Sequence, residues 1–220
     1  MNKPEQKDQV LKTMLDTGIV AVMRADSSEQ LVDAAMALCE GGVKAIEVTM
    51  TTPNAIEVIG EVSKKMKKDG VAVGVGTCLD PETCRAAILA GAQFVVAPCL
   101  NLDVIKLCRR YSVVCVPGAY TPTEILTAWE AGADIVKVFP ADTLGPQFFK
   151  GVLAPLPQVR LSPTGGVSLD TVEDFIKAGA CCVAAGGKLV PKAALNAKDW
   201  AQITDIARQF IQKIQHARGQ

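Results

Sequence analysis

Two charged residues stand inside apolar, strand-like runs, and together their types could do covalent chemistry. Lys137 interrupts Ala133-Asp-Ile-Val-Lys-Val-Phe-Pro140, and Glu47 interrupts Ala45-Ile-Glu-Val-Thr49. An ammonium is costly to remove from water. Burial disfavours the charged amine, lowers its pKa towards neutrality and leaves a nucleophile for a carbonyl. A carboxylate in the same dry cavity suits proton shuttling beside that amine. Each residue also has a structural reading. Lys137 could snorkel to a rim, or the two could form a buried ion pair that fixes the scaffold, although such pairs are weak stabilisers.

The rest of the inventory narrows the chemistry. His216 is the only histidine and falls in a helix-like tail, so Ser-His and Cys-His nucleophile pairs and His-rich zinc sites are not expected. None of the eight cysteines forms a paired Cys-x-x-Cys; they read as small buried apolar residues of a reducing compartment. Arg24 ends the apolar run Ile19 to Met23, where a guanidinium could hold a carboxylate or phosphate in two-point contact; a rim salt bridge to Asp26 or Glu47 is the alternative. Thr49, Thr51 and Thr77 offer hydroxyls just past strands, and Thr49 could instead cap a helix. Pro98 and Phe139 would give rigid walls or simply fill the core.

These residues need a scaffold to bring them together. Four segments repeat a helix end, a glycine and an apolar strand: Glu40 to Val48, Ala90 to Ala97, Ala131 to Val138 and Ala178 to Ala185. Glycine at the helix C′ position takes up the left-handed conformation without a Cβ penalty. Between them lie the runs Ile19 to Met23, Val71 to Gly76, Val113 to Pro117 and Val159 to Ser162. Helix starts are legible at Asp26-Ser-Ser-Glu, Asp80-Pro-Glu-Thr, Thr121-Pro-Thr-Glu and Ser168-Leu-Asp-Thr, where side chains can cap the first turn. Eight short strands alternating with helices predict a closed parallel (β/α)8 TIM barrel, an α/β fold, filling residues 1–220 as a single domain. An extra helix at about residues 5–16 would cover the floor, and residues 198–215 would form the last outer helix.

In such a barrel the active site lies at the C-terminal ends of the strands. Pro163-Thr-Gly-Gly-Val167 and Ala185-Gly-Gly-Lys188 place Gly165, Gly166, Val167, Gly186 and Gly187 after the last two strands, where backbone N–H groups form the usual barrel phosphate cradle. Lys188 could add charge or face solvent. Lys plus Arg equals Asp plus Glu at 23 each, so no net field favours nucleic acid or an anionic membrane. Lys64 to Lys68 reads as a solvated helix end. The polar start lacks a secretory core and no run of about eighteen apolar residues exists, so a cytoplasmic location is expected.

Ile46-Glu-Val-Thr49, Gly74-Val-Gly-Thr77, Phe94-Val-Val-Ala-Pro98, Val136-Lys-Val-Phe-Pro-Ala141 and Pro163-Thr-Gly-Gly166 occur in order, each at the end of an expected strand. Together they resemble the 2-keto-3-deoxy-6-phosphogluconate aldolase family, which includes 4-hydroxy-2-oxoglutarate aldolases. The resemblance implies a class I aldolase of the Entner–Doudoroff type with no cofactor and no metal. It also implies a homotrimer, and cleavage of a phosphorylated 2-keto-3-deoxy sugar acid to pyruvate and glyceraldehyde 3-phosphate. It implies an imine on Lys137, proton shuttling by Glu47, a pyruvate end lined by Thr77, Pro98 and Phe139, and phosphate loops at Gly165, Gly166, Gly186 and Gly187. Two departures stand out. Many members carry an arginine where this chain has Thr51, which leaves Arg24 to supply the guanidinium, and some carry a serine at Gly187.

Three other functions fit parts of the same pattern. One is aldol cleavage of 4-hydroxy-2-oxoglutarate or of 2-keto-3-deoxy-6-phosphogalactonate by the same two residues. Another is a barrel epimerase or synthase, for which the sequence offers no ligand cluster. The third is a non-catalytic barrel that senses a phosphorylated metabolite.

Overall fold

A computed structural model describes residues 4–24 and 28–219; the helix start expected at Asp26 lies outside them. The alternating runs form α1 (Pro4–Thr17), β1 (Ile19–Met23), α2 (Ser28–Glu40), β2 (Ala45–Thr49), α3 (Ala55–Met66), β3 (Ala72–Gly76), α4 (Pro81–Ala90), β4 (Phe94–Val96), α5 (Leu102–Arg110) and β5 (Val114–Val116). They continue with β6 (Gly118–Ala119), α6 (Pro122–Glu130), β7 (Val136–Val138), α7 (Gly145–Leu153), β8 (Leu161–Pro163), α8 (Val172–Lys177), β9 (Val183–Ala185), α9 (Lys192–Ala197) and α10 (Trp200–Arg218). No helix among the described residues is long and apolar enough to cross a membrane.

Caps read from sequence set several boundaries. Asp80 accepts from Thr83 N at 2.6 Å with Pro81 behind it, and Thr121 and Glu124 close a capping box around the start of α6, each satisfying N–H groups with no partner inside the helix. Ser168 does not start a helix. Its N–H donates to Thr171 Oγ1 and its Oγ accepts from Asp170 N, so the two hydroxyls hold a turn and α8 begins only at Val172. The last outer helix, expected over 198–215, forms as α10 from Trp200, with Asp199 accepting from Gln202 N at 3.0 Å; Lys198, at a left-handed φ of 54°, separates it from the short α9 that precedes it.

All pairings are parallel, in a curled six-stranded sheet of order β5-β4-β3-β2-β1-β9 and a three-stranded sheet of order β6-β7-β8. Pro117, which has no N–H, separates β5 from β6. Lys137 N nevertheless donates to its carbonyl at 2.9 Å. A bridge between Thr164 and Ala184 links the end of β8 to β9.

Strand residues alternate between two faces. Outward-facing Ile19, Ile46, Val73, Val95 and Val136 pack under the helices in one apolar cluster. Inward-facing Val20, Ala45, Ala72, Phe94, Val114 and Ile135 form a second. The first helix joins that inner layer through Val10 and Met14 and is tied down by Lys7, whose Nζ lies 2.8 Å from Asp134. It covers the floor, as expected from residues 5–16.

Candidate active site

Periodicity decides where the two charged strand residues point. Glu47 shares the inward parity of Ala45 on β2, and Lys137 that of Ile135 on β7. Both are buried, at 2% and 6% exposure. No hydrogen bond or ion pair joins them, and Glu47 Oε2 has no partner among the described residues. Burial pushes the Glu47 carboxyl up, while the charges of Lys137 and Arg24 pull it back down. Burial pushes the Lys137 ammonium down, Glu47 opposes that, and Arg24 adds to it. An amine able to lose its proton and a carboxyl able to keep one thus face a shared interior, the condition for nucleophilic attack with proton relay.

Close packing holds the carboxylate in place. Glu47 pairs in register with Gly74, and a Cβ built on Gly76 would lie 1.8 Å from Glu47 Oε1; only glycine leaves that space. The Lys137 Nζ stands 4.8 Å from the centre of the Phe139 ring.

A cavity of about 560 Å³ opens at the C-terminal ends of β1, β8 and β9. Arg24, Thr51, Phe139, Gly165, Gly166, Val167, Gly186, Gly187 and Lys188 all line it. Glu47 and Lys137 sit inward of this lining, joined to it by Val22, which pairs with Glu47, and by Phe139. Thr77 and Pro98 do not line it; Pro98 packs instead against Gly118, where a Cβ would lie 2.3 Å from the Pro98 carbonyl. Arg24 is exposed and forms no ion pair with Glu47 among the described residues, while its other expected partner, Asp26, lies outside them. Gly165 and Gly166 have φ of 94° and 70°, a left-handed conformation that glycine adopts without a Cβ penalty. The charged residues of the lining are Arg24, Lys188 and Lys192, all cationic.

Several lining residues were not singled out from sequence, three of them bearing on binding. Thr52 and Thr164 each bury a hydroxyl with no partner among the described residues, and Lys192 adds a second ammonium beside Lys188. Threonines next to turns read as caps, and no local pattern separates an unpaired hydroxyl from a paired one. The larger hollow of about 720 Å³ is a groove on the helical outside, lined by Met36, Trp200 and Arg208 among others, away from Glu47 and Lys137.

Comparisons with known proteins identify the family. The sequence model described as KDPG and KHG aldolase matches residues 10–206. The chain is 32% identical over 220 residues to the 2-dehydro-3-deoxy-phosphogluconate aldolase of Pseudomonas aeruginosa, covering 99% of each chain. It is 35% identical over 195 residues to that of Treponema pallidum, covering 88% of this chain and 92% of the relative. The crystal structure of the 2-keto-3-deoxy-6-phosphogluconate aldolase of Zymomonas mobilis with 3-phosphoglycerate superposes with a TM-score of 0.82 at 27% identity, covering 94% of this chain and 96% of that one.

Proposed function

Because the chain belongs to the KDPG and KHG aldolase family, we propose that it cleaves 2-keto-3-deoxy-6-phosphogluconate to pyruvate and glyceraldehyde 3-phosphate through an imine on Lys137. The observation that carries this is the buried amine facing a buried carboxyl, each moved towards neutrality, at the inner end of a cavity with cationic walls.

Neutral Lys137 adds to the C2 ketone, giving a carbinolamine. Glu47, whose protonated form burial favours, gives a proton to the departing hydroxyl, and water leaves. The resulting iminium draws in the electron pair of the C3–C4 bond as it breaks, while the C4 hydroxyl proton passes to Glu47. The aldehyde departs, leaving an enamine. Glu47 returns the proton to C3, and hydrolysis of the imine releases pyruvate and restores the amine. The iminium is the electron sink, so the route uses no cofactor and no metal.

At the far end, Gly165, Gly166, Val167, Gly186 and Gly187 offer backbone donors to the phosphate, with Lys188 and Lys192 adding charge. Three cations and no lining carboxylate favour a phosphorylated acid over 4-hydroxy-2-oxoglutarate, and the Zymomonas relative was crystallised with a phosphorylated acid. The Arg24 guanidinium takes the substrate carboxylate, with Thr51 in place of the family's arginine. Thr77 and Pro98 support the pyruvate end from behind the lining. The two curled sheets are read as one closed (β/α)8 barrel spanning residues 1–220, supported by the 114–119 run on either side of Pro117 and by the Thr164–Ala184 bridge. A homotrimer and a cytoplasmic location follow from kinship.

Borohydride reduction in the presence of pyruvate, followed by peptide mass spectrometry, tests the reading. A reduced pyruvate adduct on Lys137, with faster turnover of the phosphorylated acid than of 4-hydroxy-2-oxoglutarate, is the expected result. Wild-type protein that stays unmodified sinks the mechanism.

A further inference from the structure

We infer that the hydroxyl of Thr52 positions the substrate carboxylate, working beside Arg24. This rests on the aldolase reading above. The two neighbouring threonines differ in what their hydroxyls are already doing. Thr51 is exposed, and its Oγ1 lies 2.8 Å from Thr49 Oγ1, so the two hydroxyls engage each other. Thr52 is 5% exposed, lines the cavity, and its Oγ1 has no partner among the described residues. A buried hydroxyl without a partner is unfavourable, and a fold keeps one where a ligand completes it.

The backbone fixes where that hydroxyl sits. Thr52 N donates to Thr49 O at 2.9 Å, and Met50 N donates to Gly76 O at 2.9 Å, so the turn is pinned to β2 and to β3. Met23 pairs with Val48 in register. Arg24, which follows β1 and lines the cavity, and Thr49, the last residue of β2, come directly after that pair.

The carboxylate is the group this corner fits. It is bonded to C2, the carbon that joins Lys137, and the charge of Arg24 reaches both Lys137 and Glu47. The glycine loops after β8 and β9 remain for the phosphate. One charged donor from Arg24 and one neutral donor from Thr52 then hold the planar carboxylate at two points.

The test compares wild type, Thr52→Val, Thr52→Ser and Thr51→Val in the full chain. It reads kcat and KM for the phosphorylated acid, the pyruvate concentration that half-saturates borohydride trapping at Lys137, and Tm. A hydrogen bond to a charged group predicts that Thr52→Val raises KM and the half-saturating pyruvate by about 10-fold to 100-fold. The loss in kcat should be smaller, and Thr52→Ser should restore most of the binding. Because valine replaces a hydroxyl that nothing in the folded protein satisfies, Tm of Thr52→Val should equal or exceed that of wild type, the reverse of what a structural threonine would give.

Wild-type binding by Thr52→Val, a lowered Tm or failure to fold in that variant, or a larger KM rise in Thr51→Val overturns the inference while leaving Lys137 trapping intact. A wild-type protein that neither turns over nor traps overturns the aldolase reading and this inference with it.

Discussion

Glu47 and Lys137 on the inner face, and Cys78, Cys84 and Cys108 beneath the helices, are two sets of buried ionisable side chains with opposite behaviour. The thiols answer one another, with Cys84 Sγ 3.6 Å from Cys108 Sγ. Hydrogen bonding between thiols and then burial push all three up, so they stay neutral at any ordinary pH. The amine and the carboxyl are instead pushed towards neutrality from opposite sides, and Glu47 Oε2 is left without a partner. Burial of titratable groups is therefore not what marks a site. The mark is a pair of opposed shifts, one up and one down, in groups turned to the same interior, next to a cavity and with hydrogen-bonding capacity unspent.

The largest break in that contrast comes from Lys137→Ala, which removes the nucleophile. It should abolish borohydride trapping and cost more turnover than Glu47→Gln, itself expected to slow kcat by about 10²–10⁴-fold; near-normal turnover by Lys137→Ala refutes the mechanism. Gly76→Ala comes next. Its methyl would overlap Glu47 Oε1 and must displace the carboxylate, so kcat should fall to the level of Glu47→Gln while circular dichroism stays native.

Arg24→Gln sharpens the electrostatics. Removing a cation that lowers both pKa values lets both rise, so the acid limb of the kcat/KM profile, on which Lys137 must lose its proton, moves to higher pH. A limb that stays in place or moves down contradicts the assignment. Cys84→Ala should leave kcat and KM unchanged and cost about 1 kcal/mol of stability by denaturant unfolding, the scale of one buried methylene-sized group.

The smallest effect is expected at a half-buried carboxylate on the helical surface. Lys177, Lys213 and His216 hold Glu173 at a pKa of about 2. Its contribution is present above the ordinary carboxylate range and is lost as pH falls towards 2. Glu173→Gln should flatten that part of the Tm–pH curve and leave kinetics alone.

Sequence made the buried Glu47 and Lys137 pair legible because a charged residue at inward parity inside an apolar strand is costly to bury. Gly165, Gly166, Gly186 and Gly187 were legible for a similar reason, since paired glycines at strand ends leave donors uncovered. What was not legible depends on contacts between distant segments. Thr51 and Thr52 are adjacent and chemically identical, and only the pairing with Thr49 tells them apart. Thr77 and Pro98 follow strands as expected and, like Glu47 and Lys137, are not part of the cavity lining. The turn at Ser168 looked like a helix cap because the hydroxyls that cap helices also close turns.

Val10 and Met14 pack against inward-facing residues at the starts of the strands, away from the cavity. On the imine route proposed above, substrate therefore comes to Lys137 from the other side, past the strand ends. The three-carbon acid is then held by a covalent bond while the phosphorylated fragment is bonded to nothing, so that bond sets the order of release, and the layer filled by Val10 and Met14 sets the side of exit.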